Sequence, residues 1–110
     1  MAPQIDPNPG EKLILEEDCS EGKLGNGILS LTNQRIIFEK TEGNLTTLNK
    51  KTGNVLLNSS LDKIGKVNSE GFILTKVVVE ISDSKYKFSV FNTGKWAKEI
   101  EMQKRLFKKD

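Results

Sequence analysis

Proton transfer, nucleophilic attack and metal binding depend on a few side-chain types, and this 110-residue chain lacks the most versatile of them, histidine. That removes the commonest general base, the common metal ligand and any Ser-His or Cys-His nucleophile pair. Carboxylates, lysines and one cysteine remain. The densest acidic run is Glu16-Glu17-Asp18. On an extended strand its successive side chains point to opposite faces and cannot converge on one substrate, so the run reads as a solvated edge. Cys19 has no disulfide partner, and Glu16, Glu17, Asp18 and Glu21 around it would raise its thiol pKa and leave it unreactive. Gly22, Gly25 and Gly27 precede strand-forming residues, where a phosphate cradle would need a helix N-terminus. They read as turn glycines. The expectation is a chain that is not an enzyme, takes no cofactor and holds no metal.

Basic residues offer a second kind of chemistry. Residues 1–47 carry four basic and eight acidic groups, whereas residues 48–110 carry thirteen and seven. Such a split produces either a basic face that attracts phosphates and anionic lipid, or an ordinary solvated surface. Nucleic acid is not expected, because Lys85 and Lys87 alternate onto the side opposite Tyr86 and Phe88 instead of interleaving with them on one face.

These side chains need elements to position them. With 35% hydrophobic and 29% charged residues, the chain has material for one core of ordinary size. No apolar stretch approaches the roughly 20 residues of a membrane-spanning helix, and residues 1–11 lack an apolar signal-peptide core, so a cytoplasmic location is expected. All three prolines fall in residues 1–10, which predicts a flexible leader, followed by a single domain over 11–110. Alternating apolar residues predict a strand over Lys12–Glu17, turn chemistry from Ser20 to Gly27, and a tight hairpin in which Asn33-Gln34 joins Ile28–Thr32 to Arg35–Glu39. Residues 41–54 read as a long hairpin loop before Val55-Leu56-Leu57. A turn at Asn58-Ser59-Ser60 and a short strand near Lys63–Asn68 follow. A second clear hairpin joins Phe72–Ser82, with Ile73, Val77, Val79 and Ile81 on one face, to Lys85–Val90. From Asn92 the period changes to that of a helix, with Trp96, Ile100 and Phe107 within about 40° of one another and Gln103 among them.

Two groups of hairpins closed by a Trp-bearing helix resemble the pleckstrin-homology superfold. More specifically, Gly27-Ile28-Leu29-Ser30-Leu31-Thr32-Asn33-Gln34-Arg35-Ile36-Ile37-Phe38 resembles the Gly-x-Leu-x-Leu-Thr-x-x-Arg-Leu-x-Phe signature of GRAM and related prokaryotic PH-like domains. Leu61-Asp62-Lys63-Ile64 and Tyr86-Lys87-Phe88 are looser matches to the same families. The resemblance implies a mainly β fold of seven strands in two near-orthogonal antiparallel sheets, capped by the C-terminal helix. It also implies a module that binds anionic lipid headgroups or an adaptor protein, peripheral to a membrane in the first case.

The basic pattern of phosphoinositide-binding PH domains is missing from the first two strands, where only Lys23 is available. The resemblance therefore shifts the anion-binding candidates to Arg35 with Lys50 and Lys51, or leaves Arg35 merely pairing with an acid such as Glu39. The alternative is protein recognition, including the ubiquitin binding that GLUE domains can show. Its candidate contacts are Met102 and Leu106, which lie off the predicted buried stripe and are otherwise extra core. An unpaired sheet edge could also support weak self-association.

Overall fold

The structure is a computed structural model that describes residues 6–42, 50–71 and 75–107, with residues 42 and 50–53 described by backbone alone. Its elements are β1 (Leu13–Glu21), β2 (Gly25–Thr32), β3 (Arg35–Glu42), β4 (Lys50–Ser60), a 3-10 turn at Leu61–Lys63, β5 (Ile64–Glu70), β6 (Lys76–Ile81), β7 (Ser84–Phe88) and α1 (Thr93–Phe107). All strand pairs are antiparallel, in the order β4-β3-β2-β1-β7-β6-β5.

The two expected sheets meet in a thin seam. β1 and β7 share one register pair, Glu21 with Phe88, reinforced by the Ser89 amide donating to the Ser20 carbonyl at 2.9 Å. One continuous hydrogen-bonded order results, made of a four-stranded and a three-stranded part.

Alternation in the sequence explains the core. Leu29, Leu31, Ile36 and Phe38 from the first part face Val77, Val79, Ile81 and Phe88 from the second, all buried. The Phe38 and Phe88 rings bridge the two parts with centroids 5.6 Å apart, a tilted pair of the kind aromatic quadrupoles favour. Gly27 makes this possible, because a Cβ there would collide with the Glu39 carbonyl and come within 2.6 Å of two Phe38 ring carbons. At one open end Leu61, Trp96 and Ile100 complete the cluster. Each large side chain so buried contributes about 1.5–3 kcal/mol. The helix starts where its sequence says it should. Asn92 Oδ1 accepts the Lys95 amide at 3.0 Å as an N-cap, and Lys104 and Arg105 lie in the last turn, which suits the helix dipole.

Three local expectations change. β1 runs on to Glu21, and Gly25-Asn26-Gly27 belong to β2, so the first turn is only residues 22–24; Gly25 takes the positive φ of 85° that the tight return requires. Asn58-Ser59-Ser60 are the end of β4, paired with Arg35 to Ile37, and the reversal comes one step later in the 3-10 turn. Of the loop expected over 41–54, residues 41–42 continue β3 and 50–54 begin β4, while 43–49, like the predicted strand start at 72–74, lie outside the described residues.

Candidate functional site

Arg35 opens β3 directly after the Asn33-Gln34 turn, which Thr32 shapes by accepting the Gln34 and Arg35 amides on its hydroxyl, each at 3.0 Å. Its guanidinium meets Glu11 side-on, Nε to Oε2 at 2.8 Å and Nη2 to Oε1 at 2.9 Å, while Nη2 also donates to the Asp6 carbonyl at 3.0 Å. This bidentate, charge-assisted geometry is the strong form of an ion pair. The two side chains are 13% and 3% exposed. Glu11 further accepts the Thr32 hydroxyl at 2.7 Å and the Asn8 amide at 2.8 Å. Burial pushes the Glu11 carboxyl up, but the hydrogen bonds from Arg35, Asn8 and Thr32 outweigh it and hold the group below its ordinary value.

The expected pairing of Arg35 with an acid is therefore present. The acid is Glu11, at the start of the domain, in place of Glu39. The same contact ties down the described part of the leader, because Asn33 Nδ2 donates to the Gly10 carbonyl at 3.0 Å and Gln34 Nε2 to the Pro9 carbonyl at 2.9 Å.

The other anion-binding candidates sit elsewhere. Thr41 pairs with Lys51 and Glu42 with Lys50, so both lysines are at the end of β3 opposite Arg35. Six or seven residues of strand, about 20 Å, intervene. Their side chains lie outside the described residues. Lys23, in the β1–β2 turn, shares the end of the hairpins that holds Lys50 and Lys51, because Gly27 pairs with Lys40 only one step before Thr41. Its ammonium lies over the Tyr86 ring, 4.9 Å from the centroid. Arg35 thus falls outside any group that Lys23, Lys50 and Lys51 form. The basic pair Lys108 and Lys109 is outside the described residues.

Carboxylates do more structural work than the sequence suggested. Glu16 and Glu17 do point to opposite faces. Glu16 Oε2 accepts the Ser30 hydroxyl at 3.0 Å, whereas Glu17 accepts the Trp96 indole N–H at 3.0 Å and also the Phe91 amide. Glu17 is thus a clamp between β1 and the helix, and not a solvated edge. Glu21 is buried and accepts the amides of Lys23, Leu24 and Lys87 at 2.6, 3.0 and 2.9 Å, closing the first turn and the seam together. The clamp of Glu17 and the seam bond of Glu21 carry no short-range sequence signature, because those partners lie 66 to 79 positions away, although two of the Glu21 partners are only two and three positions on. Burial, followed by the charges of Glu17, Asp18 and Glu21, pushes the Cys19 thiol up to about 12, which leaves it protonated and inert. Among the described residues no group of three acids or cysteines gathers as a metal site.

On α1 the buried stripe is Trp96, Ile100 and Gln103, with Phe107 partly buried. Met102 is half-buried, and Leu106 is 55% exposed. Leu106 and Phe107 border a cleft of about 390 Å³ that the helix forms with Gly10, Asn33, Gln34 and Gln103. In the order of the described strands β4 and β5 are the edges, and Lys104 Nζ covers part of β5 by donating to the Gly65 carbonyl.

No protein-family model and no curated protein matches the chain. Among solved structures it is similar to a Vps36 N-terminal PH domain, at a TM-score of 0.68 and 22% identity, covering 94% of this chain and 86% of that one. The chain has a PH-like fold, its described residues forming seven antiparallel strands and one C-terminal helix. No helix of the described residues is long and apolar enough to cross a membrane.

Proposed function

We propose that this domain is a non-enzymatic recognition module whose partner is a protein, contacted through the exposed side of α1 around Met102 and Leu106. The observation that carries this reading is Leu106, a large apolar side chain 55% exposed beside a cleft, on a helix whose core-facing stripe is already complete without it. An exposed leucine flanked by the half-buried Met102 and Phe107 at a concavity is the kind of surface a partner's apolar side chain can cover. The PH-like fold, which serves lipid and protein recognition alike, is compatible with this use. A cytoplasmic location fits it as well.

Leu106→Asp should leave the melting temperature unchanged and abolish retention of a partner, ubiquitin being the first to try, that the unmodified domain holds. Equal retention by both would sink the assignment of this surface.

A second reading, peripheral association with anionic membranes, is supported by Lys23, Lys50 and Lys51 sharing one end of the hairpins. Its test is co-sedimentation with phosphatidylcholine vesicles with and without phosphatidylserine, at two salt concentrations. Salt-sensitive binding that Lys50→Ala plus Lys51→Ala weakens would favour the membrane over the protein.

A further inference from the structure

An apolar residue just before a helix N-cap commonly packs on the fourth residue of the helix, the contact known as the hydrophobic staple. With Asn92 as the N-cap of α1, Phe91 and Trp96 hold those two positions. The staple is not made. Trp96 is 2% exposed and part of the core, its indole N–H on Glu17. Phe91 is 95% exposed, well beyond Leu13, Leu56 and Leu106, the other large apolar side chains exposed among the described residues.

The backbone that carries this ring is fixed on both sides. The Ser89 amide donates to the Ser20 carbonyl at 2.9 Å, the Val90 amide to the Phe88 carbonyl at 3.1 Å, and the Phe91 amide to the Glu17 carboxylate. Val90 is buried in the core, and the Asn92 carbonyl accepts the Trp96 amide at 3.1 Å. A phenyl ring presented in water on a preordered backbone meets part of the ordering cost of association in advance.

Among the described residues, the exposed charge that follows the ring along the chain is basic. Lys95 and Lys98 are exposed, and the first turn of α1 holds no acid to offset the positive end of the helix dipole. Glu17 already accepts two N–H groups, Asp18 alternates to the opposite face of β1, and Glu99 is half-buried one turn beyond Lys95.

These facts select the kind of occupant. A bilayer would gain one ring here, because Leu13, Leu56 and Leu106 belong to the start of β1, to β4 and to the last turn of α1. A phenyl ring buries less apolar surface than one myristoyl chain, which alone gives only marginal membrane binding. A protein pocket of fixed shape gains more from a single ring, since it desolvates the ring fully in a geometry already set.

We propose that Phe91 is an anchor for a protein partner that offers an apolar pocket one phenyl ring deep, with carboxylates on its rim that meet Lys95 and Lys98. This contact lies at the end of α1 opposite Leu106, eleven residues or about 16 Å from Lys95, and rests on the protein-recognition reading.

The probe is carboxymethyl-β-cyclodextrin, an apolar cavity that takes one phenyl ring within a rim of carboxylates, compared with neutral β-cyclodextrin. Each is titrated into the 15N-labelled full chain while the backbone amides of Phe91, Asn92 and Lys95 are followed. These amides should shift saturably, and the carboxylated probe should bind about fivefold tighter at low salt, the worth of two exposed ion pairs. Added salt should remove that advantage. Phe91→Ala should keep the melting temperature, because the ring is almost wholly in water, and weaken both probes about tenfold. Lys95→Gln plus Lys98→Gln should abolish the difference between the probes and leave the neutral one unaffected.

No response at Phe91, an unchanged response in Phe91→Ala, or equal affinity for the two probes overturns the assignment. Phosphatidylserine vesicles bound by the unmodified chain and released by Phe91→Ala would overturn it in favour of a membrane, and amide shifts with protein concentration alone in favour of a second copy. Failure with the probes while vesicles remain unbound removes only this anchor. Failure together with vesicle binding that Lys50→Ala plus Lys51→Ala weakens removes the protein-recognition reading as well.

Discussion

Arg35 and Lys23 lie at opposite ends of the β2–β3 hairpin, and the sequence favoured Arg35, grouped with Lys50 and Lys51, over Lys23 as an anion ligand. Arg35 is 13% exposed and bonded on two nitrogens to a nearly buried carboxylate, with the leader folded over it. Lys23 is exposed, and its contact is the face of Tyr86. At the Arg35 end, charge is part of the interior and holds a chain segment in place. At the Lys23 end, charge stays in water and is available to an outside partner. A formal charge in a sequence is therefore a poor measure of surface potential until its partner is known. Here the partner of Arg35 sits 24 positions away.

Three measurements would break or sharpen that contrast. Arg35→Ala strands Glu11 in a site where its other partners are a hydroxyl and an amide, and should destabilise the fold by about 3–5 kcal/mol in urea unfolding. A loss below about 1 kcal/mol would show that the pair behaves like a surface bridge.

Acid should act at the same end. The Glu11 carboxyl is held below its ordinary value of 4.5, so its contribution is fully present above that pH and is lost as pH falls through the lowered value of the folded state. Melting temperature should therefore drop on acidification below about 4.5, with a shallower fall in Glu11→Gln. Parallel curves would assign the acid sensitivity to another group.

The smallest effect belongs to Lys23→Ala, which should cost under about 1 kcal/mol, the value of an exposed cation–π contact. A loss comparable to that of Arg35→Ala would erase the difference between the two ends.

Much of the fold was readable because it rests on local pattern. The Asn33-Gln34 hairpin, the alternation of Val77, Val79 and Ile81, and the switch to helical period at Asn92 each follow from residues within a few positions of one another. The errors came where a local signal had two meanings. Gly25-Asn26-Gly27 has turn composition, but Gly27 is glycine because the Phe38 ring lies against it. Asn58-Ser59-Ser60 has turn composition too, yet Ser59 is buried opposite Ile36. The site was less legible than the fold. Arg35 and the helix stripe stood out, but Glu11, Glu17 and Glu21 owe their roles to partners that only the folded chain brings near. Gln103 was noticed in the stripe, and it is buried there beside Trp96 and Ile100.

The narrow seam between β1 and β7 has a kinetic meaning. Within each part of the sheet, strands pair with their immediate neighbours in sequence, so loop closure is cheap and each can form early. The Lys87 amide and the Glu21 carboxylate that join the two parts are 66 positions apart, and the indole bond that seats the helix spans 79. Joining the halves is thus the step with the largest ordering entropy and the fewest backbone bonds in return. It is expected to form last and to open first. The same thinness leaves side-chain packing, above all the Phe38–Phe88 pair and the core around it, as the main fastener across the two halves, so a cavity cut there would speed their separation more than the loss of any one seam hydrogen bond.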